Sequence, residues 1–213
     1  MTIDKNDLLN SILENIVHID YVKSADIPNI DLYMDQVTSF MEKQFESTKR
    51  YSDDKVLTKT MINNYAKSDL LPAPLKKKYS KEHLLVLTFI YYFKNVLSMK
   101  DIEVLLKPIT GNYFQSEQEI NISYIYDEIC NFEKEHKSLI QQDIAQMYQN
   151  SLETFTEVDD ENRKILQLFS FICSLCLDVY VKKLLIEKLI DELPTPISET
   201  TEKDKEKKKT EKK

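Results

Sequence analysis

A chain of 213 residues, 42% of them hydrophobic and 31% charged, is long enough for one large or two small domains with a proper core, and its balance is that of a soluble globular protein. Its single glycine, Gly111, nearly excludes hairpin turns and the Gly-rich loops that cradle phosphates, so the expected fold is all-α. A net charge of -7 argues against indiscriminate coating of nucleic acid.

The charge is unevenly spread. Residues 49–83 hold nine Lys and Arg against four Asp and Glu, whereas residues 111–198 hold seven against sixteen. One basic face inside an acidic protein is suited to docking on a phosphate backbone while the rest discourages loose binding. The N-terminus, MTIDKNDLLNSILENIVHI, has no continuous apolar run after a basic start, and Cys130, Cys173 and Cys176 form no ladder of spacings. Both features lead us to expect a cytoplasmic protein.

In chain order, Leu8, Leu9, Ile12, Leu13, Ile16 and Val17 recur at helical spacing, and a loop over 25–31 interrupted by Pro28 ends this first helix. Val37, Phe40, Met41, Gln44 and Phe45 stripe a second helix over about 35–48. A polar connector over 50–55 follows, and then Thr58 stands as the N-cap of a short helix over 59–67. On that helix Ile62, Tyr65 and Ala66 are expected to face inward, and Lys59, Thr60, Asn63 and Asn64 outward. Leu70 and Leu71 anchor the chain, Pro72 and Pro74 forbid continuation, and Lys76, Lys77 and Lys78 form a basic arm. Ser80 caps a strongly apolar helix carrying Leu84, Leu85, Leu87, Phe89, Ile90, Tyr91 and Phe93. Ser98, with Asp101 as its capping-box partner, opens a short helix through Leu106, and Pro108 and Gly111 are expected to close the unit.

The succession TMINNY at 60–65, LLPAP at 70–74, KKYS at 77–80 and LSMKDI at 97–102 resembles the MerR-type winged helix-turn-helix over roughly residues 35–106. The whole chain is more closely similar to an uncharacterised bacterial family known as a domain of unknown function. The MerR-like resemblance implies that the short helix enters the major groove and that the basic loop, the wing, touches phosphates. By position it places Thr60, Asn63 and Asn64 on the reading face and Lys77 in the wing, where family members usually have Arg. Where that superfamily usually has Arg-Tyr-Tyr, this chain has Asn63-Asn64-Tyr65, which exchanges the guanine-reading side chain for amides suited to adenine. The connector over 45–56 is longer than the tight turn of a helix-turn-helix.

Further on, apolar positions from Ile120 to Tyr148 indicate one long helix or two, broken near 134–138. Asp159 or Asp160 caps a last helix over about 161–192, apolar around too much of its circumference for a single stripe. Beyond Pro194 and Pro196 the chain turns to Glu, Lys and Thr and is expected to be disordered. The expected division is therefore an N-terminal helix and loop (1–33), the winged unit (34–111), a helical dimerisation region (112–194) and a charged tail (195–213).

Cys173 and Cys176 share a helical face, yet no further Cys or His completes a metal set, so both read as buried core. His83, at the start of a capped helix, reads as a phosphate neighbour or a surface residue. The stretch 165–181 is broken by Gln167 and Asp178 and falls short of a membrane span, so it reads as a core or dimer helix. No arrangement of Ser, His and Asp suggests a nucleophile, and neither cofactor, metal nor small-molecule ligand is expected. The expectation is a non-enzymatic transcriptional regulator that binds double-stranded DNA through Lys59, Thr60, Asn63, Asn64, Lys76, Lys77 and Lys78 and forms a homodimer through 161–192. The alternative is a helical adaptor whose winged unit serves an acidic protein partner.

Overall fold

The computed structural model describes residues 22–193; the first expected helix and the charged tail lie outside them. Among the described residues there are six α-helices and one two-stranded sheet: β1 (Leu32–Tyr33), α1 (Met34–Gln44), α2 (Lys59–Lys67), β2 (Lys78–Tyr79), α3 (Lys81–Phe93), α4 (Met99–Tyr113), α5 (Ile122–Leu152) and α6 (Asp160–Asp191). The chain is mostly helical, as its composition implies.

α3 is the axis of the core. Every residue from His83 to Tyr91 is buried, so this helix has no water-facing side along two and a half turns. Around it, Val37, Met41 and Phe45 of the α1 stripe, Ile62 and Tyr65 of α2, and Ile102 and Leu106 of α4 close one contiguous cluster. Val22, Ile27 and Leu32 belong to the same cluster, as do Ile122 and Tyr126 at the start of α5. The Tyr126 hydroxyl donates to the Val22 carbonyl, satisfying a polar group that burial would otherwise penalise.

The helix starts follow local chemistry. Thr58 Oγ1 accepts from the Met61 amide at 3.2 Å, Ser98 Oγ from Asp101 at 3.2 Å, and Asn121 Oδ1 from Tyr124 at 3.0 Å. At α6 it is Asp159 that caps, accepting from Asn162 at 3.1 Å. α4, however, does not stop near Leu106: it runs to Tyr113 with Pro108 inside. A mid-helix proline removes one backbone hydrogen bond and costs about 3 kcal/mol, but Ile109 and Tyr113 continue to pack on the core past it. α5 is likewise unbroken across 134–138.

The shortage of glycine also misleads about turns. Lys76 (φ 50°) and Lys77 (φ 64°) both adopt the left-handed conformation, and the Lys78 amide donates to the Leu75 carbonyl at 2.9 Å. This is a two-residue hairpin turn built from lysines, at a cost of roughly 1–2 kcal/mol for each left-handed residue. It persists because both ends are held: Lys78 and Tyr79 pair antiparallel with Tyr33 and Leu32, and Leu71 and Tyr79 are buried. The α2 terminus uses the same device once, with Asp69 at φ 57° and the Leu70 amide donating to the Tyr65 carbonyl at 3.0 Å.

His83 is neither a surface residue nor a phosphate neighbour, being 1% exposed. Its Nδ1 accepts from the Ser80 amide at 3.0 Å, which leaves Nε2 as the protonated nitrogen of the neutral ring, buried without a hydrogen-bond partner. The ring packs edge-on against Tyr79 and Phe114, joining the root of the wing to the end of α4. Burial lowers its pKa, opposed in part by the backbone at Ala73 and Pro72 and by the Asp31 carboxylate.

Two outcomes follow from this packing. Leu87→Ala, at a fully buried α3 site, should lower unfolding free energy by about 2–5 kcal/mol in urea titrations, and a change below about 1 kcal/mol would contradict the placement of α3. Because the folded state holds His83 neutral while the unfolded chain protonates it near the ordinary value of 6.5, stability should be complete above that pH and decline as pH falls through it. The urea midpoint should therefore drop between about pH 7.5 and 5.5, and His83→Gln should flatten that drop; an equal drop in the variant would count against a buried neutral His83.

Candidate nucleic-acid interface

α2 owes its orientation to two buried side chains, Ile62 and Tyr65, three residues apart on one face. That fixes Thr60, Asn63, Asn64 and Lys67 on the opposite face, at the i, i+3, i+4, i+7 spacing, and all four are exposed. Lys59, at the first helical position, is also exposed and forms an ion pair with Asp35 of α1. Both partners are largely solvated, so the pair contributes little and can be exchanged for a phosphate. Lys67 was not among the expected site residues, although its spacing of seven from Thr60 would have found it.

The loop from α2 to β2, the expected wing, is rooted by apolar anchors and tipped by charge. Leu70, Leu71 and Tyr79 are buried, while Leu75, Lys76 and Lys77 project into solvent at the turn. Lys78 is half-buried, its Nζ 5.3 Å from the centroid of the Tyr33 ring, a cation–π distance. Of the three expected phosphate contacts in the wing, Lys76 and Lys77 are open, and Lys78 is partly occupied by Tyr33.

The two halves converge at the N-terminus of α1. Tyr33, on β1, carries Lys78 of the wing, and Asp35, two residues later in the first turn of α1, carries Lys59 of α2. α1 also packs against both α2 and β2, so it is their common base. The Tyr33 amide donates to Gln36 Oε1 at 2.9 Å, fixing the point from which both contacts are made. The expected residues thus belong to two neighbouring elements held by one helix start, with amides and a hydroxyl on the helix and two unpaired ammonium groups at the turn. Amide side chains can make paired hydrogen bonds to an adenine edge, and lysines neutralise phosphates without reading sequence.

Among the described residues no group of three or more His, Cys, Asp and Glu could hold a metal ion. Cys173 is half-buried and Cys176 exposed, so neither is the core residue expected. They lie on α6, whose apolar side chains are mostly turned outward. Ile165, Leu168, Phe169, Ile172, Leu177, Val179, Tyr180, Val181, Leu184, Leu185 and Leu189 are all exposed. The covered positions are mixed: Phe171 and Ile190 are buried, and Leu166, Gln167, Ser170, Ser174, Leu175 and Asp178 are half-buried.

No curated protein and no solved structure matches this chain. A family model does match, over residues 22–129, from the segment leading into β1 through the first turns of α5. This span contains α1, α2, the wing and α3, and covers half of the chain. The protein belongs to the family described as Domain of unknown function (DUF1836).

Proposed function

We propose that this protein is a DNA-binding transcriptional regulator of the winged helix-turn-helix type, MerR-like in its order of elements. α2 is the reading helix and the Lys76–Lys77 turn is the wing tip. The observation that carries this reading is the convergence of Lys59 and Lys78 on Asp35 and Tyr33, which joins helix and wing at one end of α1. The strained lysine turn supports it: left-handed backbone at two long cationic residues is costly, and such strain concentrates at ligand-binding sites. Within this reading Lys76 and Lys77 hold backbone phosphates, Thr60, Asn63 and Asn64 face the base edges, and Lys59 and Lys67 flank them.

The regulator is a homodimer through α5 and α6. Twelve large apolar side chains of α6 are between 36% and 64% exposed, leaving on the order of 1,000 Å² of apolar surface open, where a standard interface takes ~800 Å² from each partner. Among the described residues α6 alone is long and apolar enough to cross a membrane. Yet its apolar stretch is interrupted by Gln167 and by Asp178, the latter paired with Lys182, and a charge within the span is penalised by a bilayer and accommodated at the rim of a protein interface. α5 is exposed in the same manner at Phe132, Leu139 and Ile140, so two α5–α6 hairpins form a four-helix arrangement. Such a dimer presents two reading helices and two wings, matched to repeated half-sites.

Fluorescence anisotropy with a random duplex pool tests the first part. Wild-type affinity should fall steeply between about 50 and 200 mM salt, and Lys76→Glu with Lys77→Glu should weaken binding at least tenfold and flatten the log–log salt slope by about two. Absence of salt-dependent binding, or an unchanged variant, would overturn the DNA reading; capture of an acidic protein that survives nuclease treatment would then favour the adaptor. Light scattering on the eluting protein tests the second part. The mass should be about twice the 25.1 kDa of one chain, and Phe169→Glu with Leu184→Glu should halve it. A monomer at tens of micromolar, or co-sedimentation with neutral lipid vesicles, would contradict a dimer seam.

A further inference from the structure

The connector between α1 and α2 folds against the end of α3 and borders an open cleft of about 320 Å³ lined by Lys49, Arg50, Lys55 and Lys94, with Asp54 as the one carboxylate in its lining. Four cations from two separate segments meet there. Lys49 is already neutralised by Glu42, whose other oxygen accepts from the Val56 amide at 3.3 Å and so pins the connector in place. Asp54 is also committed, its Oδ2 accepting from the Tyr51 amide at 3.0 Å to close the turn.

Lys55 feels the Glu42 carboxylate without pairing to it, and among the described residues Arg50 and Lys94 form no ion pair with a carboxylate. Arg50 lies over the Tyr51 ring and Lys55 is exposed. Lys94, at the end of α3, is half-buried: its Nζ is 4.8 Å from the Tyr91 ring centroid and donates to the Val56 carbonyl at 2.7 Å. A partly desolvated ammonium held by a carbonyl and a ring face lacks the countercharge that would stabilise it. Desolvation accordingly lowers its pKa. The cleft has the size of a small-ligand site, and its charge selects an anion.

We propose that this cleft binds a small phosphate-bearing anion, with the half-buried Lys94 as its anchoring charge and Arg50 and Lys55 as exposed arms beside it. Arg50 supplies a planar fork matched to phosphate oxygens, and two lysines supply point charges, a combination suited to two or more negative charges on one ligand. The site is separate from the reading face, and it stands at the root of α2: Lys94 holds the Val56 carbonyl, two residues before the Thr58 cap. The same phosphate chemistry is also offered by a DNA backbone, but charges gathered from two segments around a cleft of small-ligand size, with Tyr91 in its wall, suit a free ligand better than a duplex surface.

Isothermal titration of the full-length protein with inorganic pyrophosphate, in the absence of DNA, tests the site independently of the DNA reading. We expect one binding site per chain, weakened at least tenfold by Lys94→Gln and by Arg50→Ala with Lys55→Ala, and unchanged in Lys76→Glu with Lys77→Glu. The exposed Arg50 and Lys55 provide the decisive variant if Lys94→Gln impairs folding. No heat of binding would overturn the proposal, as would equal loss in the wing variant, which would mark non-specific attraction. Failure to bind pyrophosphate combined with a flatter salt slope for duplex in Arg50→Ala with Lys55→Ala would reassign the cleft to backbone contact and likewise overturn the small-ligand site.

Discussion

The core of the described residues depends on the burial of α3 from all sides. A helix with nine successive buried residues, His83 to Tyr91, is stable only if other segments cover it, and those segments carry the proposed DNA-binding residues. α1 and α2 cover one side through Val37, Met41, Ile62 and Tyr65, and the chain before β1 contributes Val22 and Ile27. The wing is held from the same axis, because Tyr79 packs on the His83 ring and Ser80 opens α3. A single apolar axis therefore sets both the inward face of α2 and the base of the lysine turn.

This explains how a strained turn can be retained. Two lysines in left-handed conformation would relax in an isolated loop, but β1 pairing, two proline-restricted positions and the buried Leu71 and Tyr79 leave the chain between them no alternative path. The charge at the tip is consequently presented on a short, fixed lever. α2 is aimed just as firmly, since Ile62 and Tyr65 determine which four positions meet solvent.

Those elements whose signals are local were legible from residue order alone. Thr58, Ser98 and Asp159 cap as their side chains require, and the inward and outward faces of α2 follow from the helical period. Where tertiary packing opposed a local rule, the local rule failed. Glycine shortage argued against a hairpin turn that β1 nonetheless enforces at Lys76 and Lys77. Pro108 argued for a helix end that Ile109 and Tyr113 carry past it. His83 carried no local sign of burial, because its environment comes from Tyr79 and Phe114. The basic cleft was invisible for the same reason: Lys94 lies 38 residues from the Val56 carbonyl it holds.

The long α5–α6 arm separates into a part within the family match and a part beyond it, since the match ends at residue 129 and α6 begins at Asp160. The proposed contact with DNA thus falls inside the matched span, and the exposed apolar side chains proposed for self-association fall outside it. Hydrogen–deuterium exchange with and without a saturating duplex distinguishes these directly. The account expects slowed exchange concentrated in residues 59–67 and 75–79, with residues 165–189 unchanged. Protection confined to α5 and α6, with α2 and the lysine turn unaffected, would contradict it.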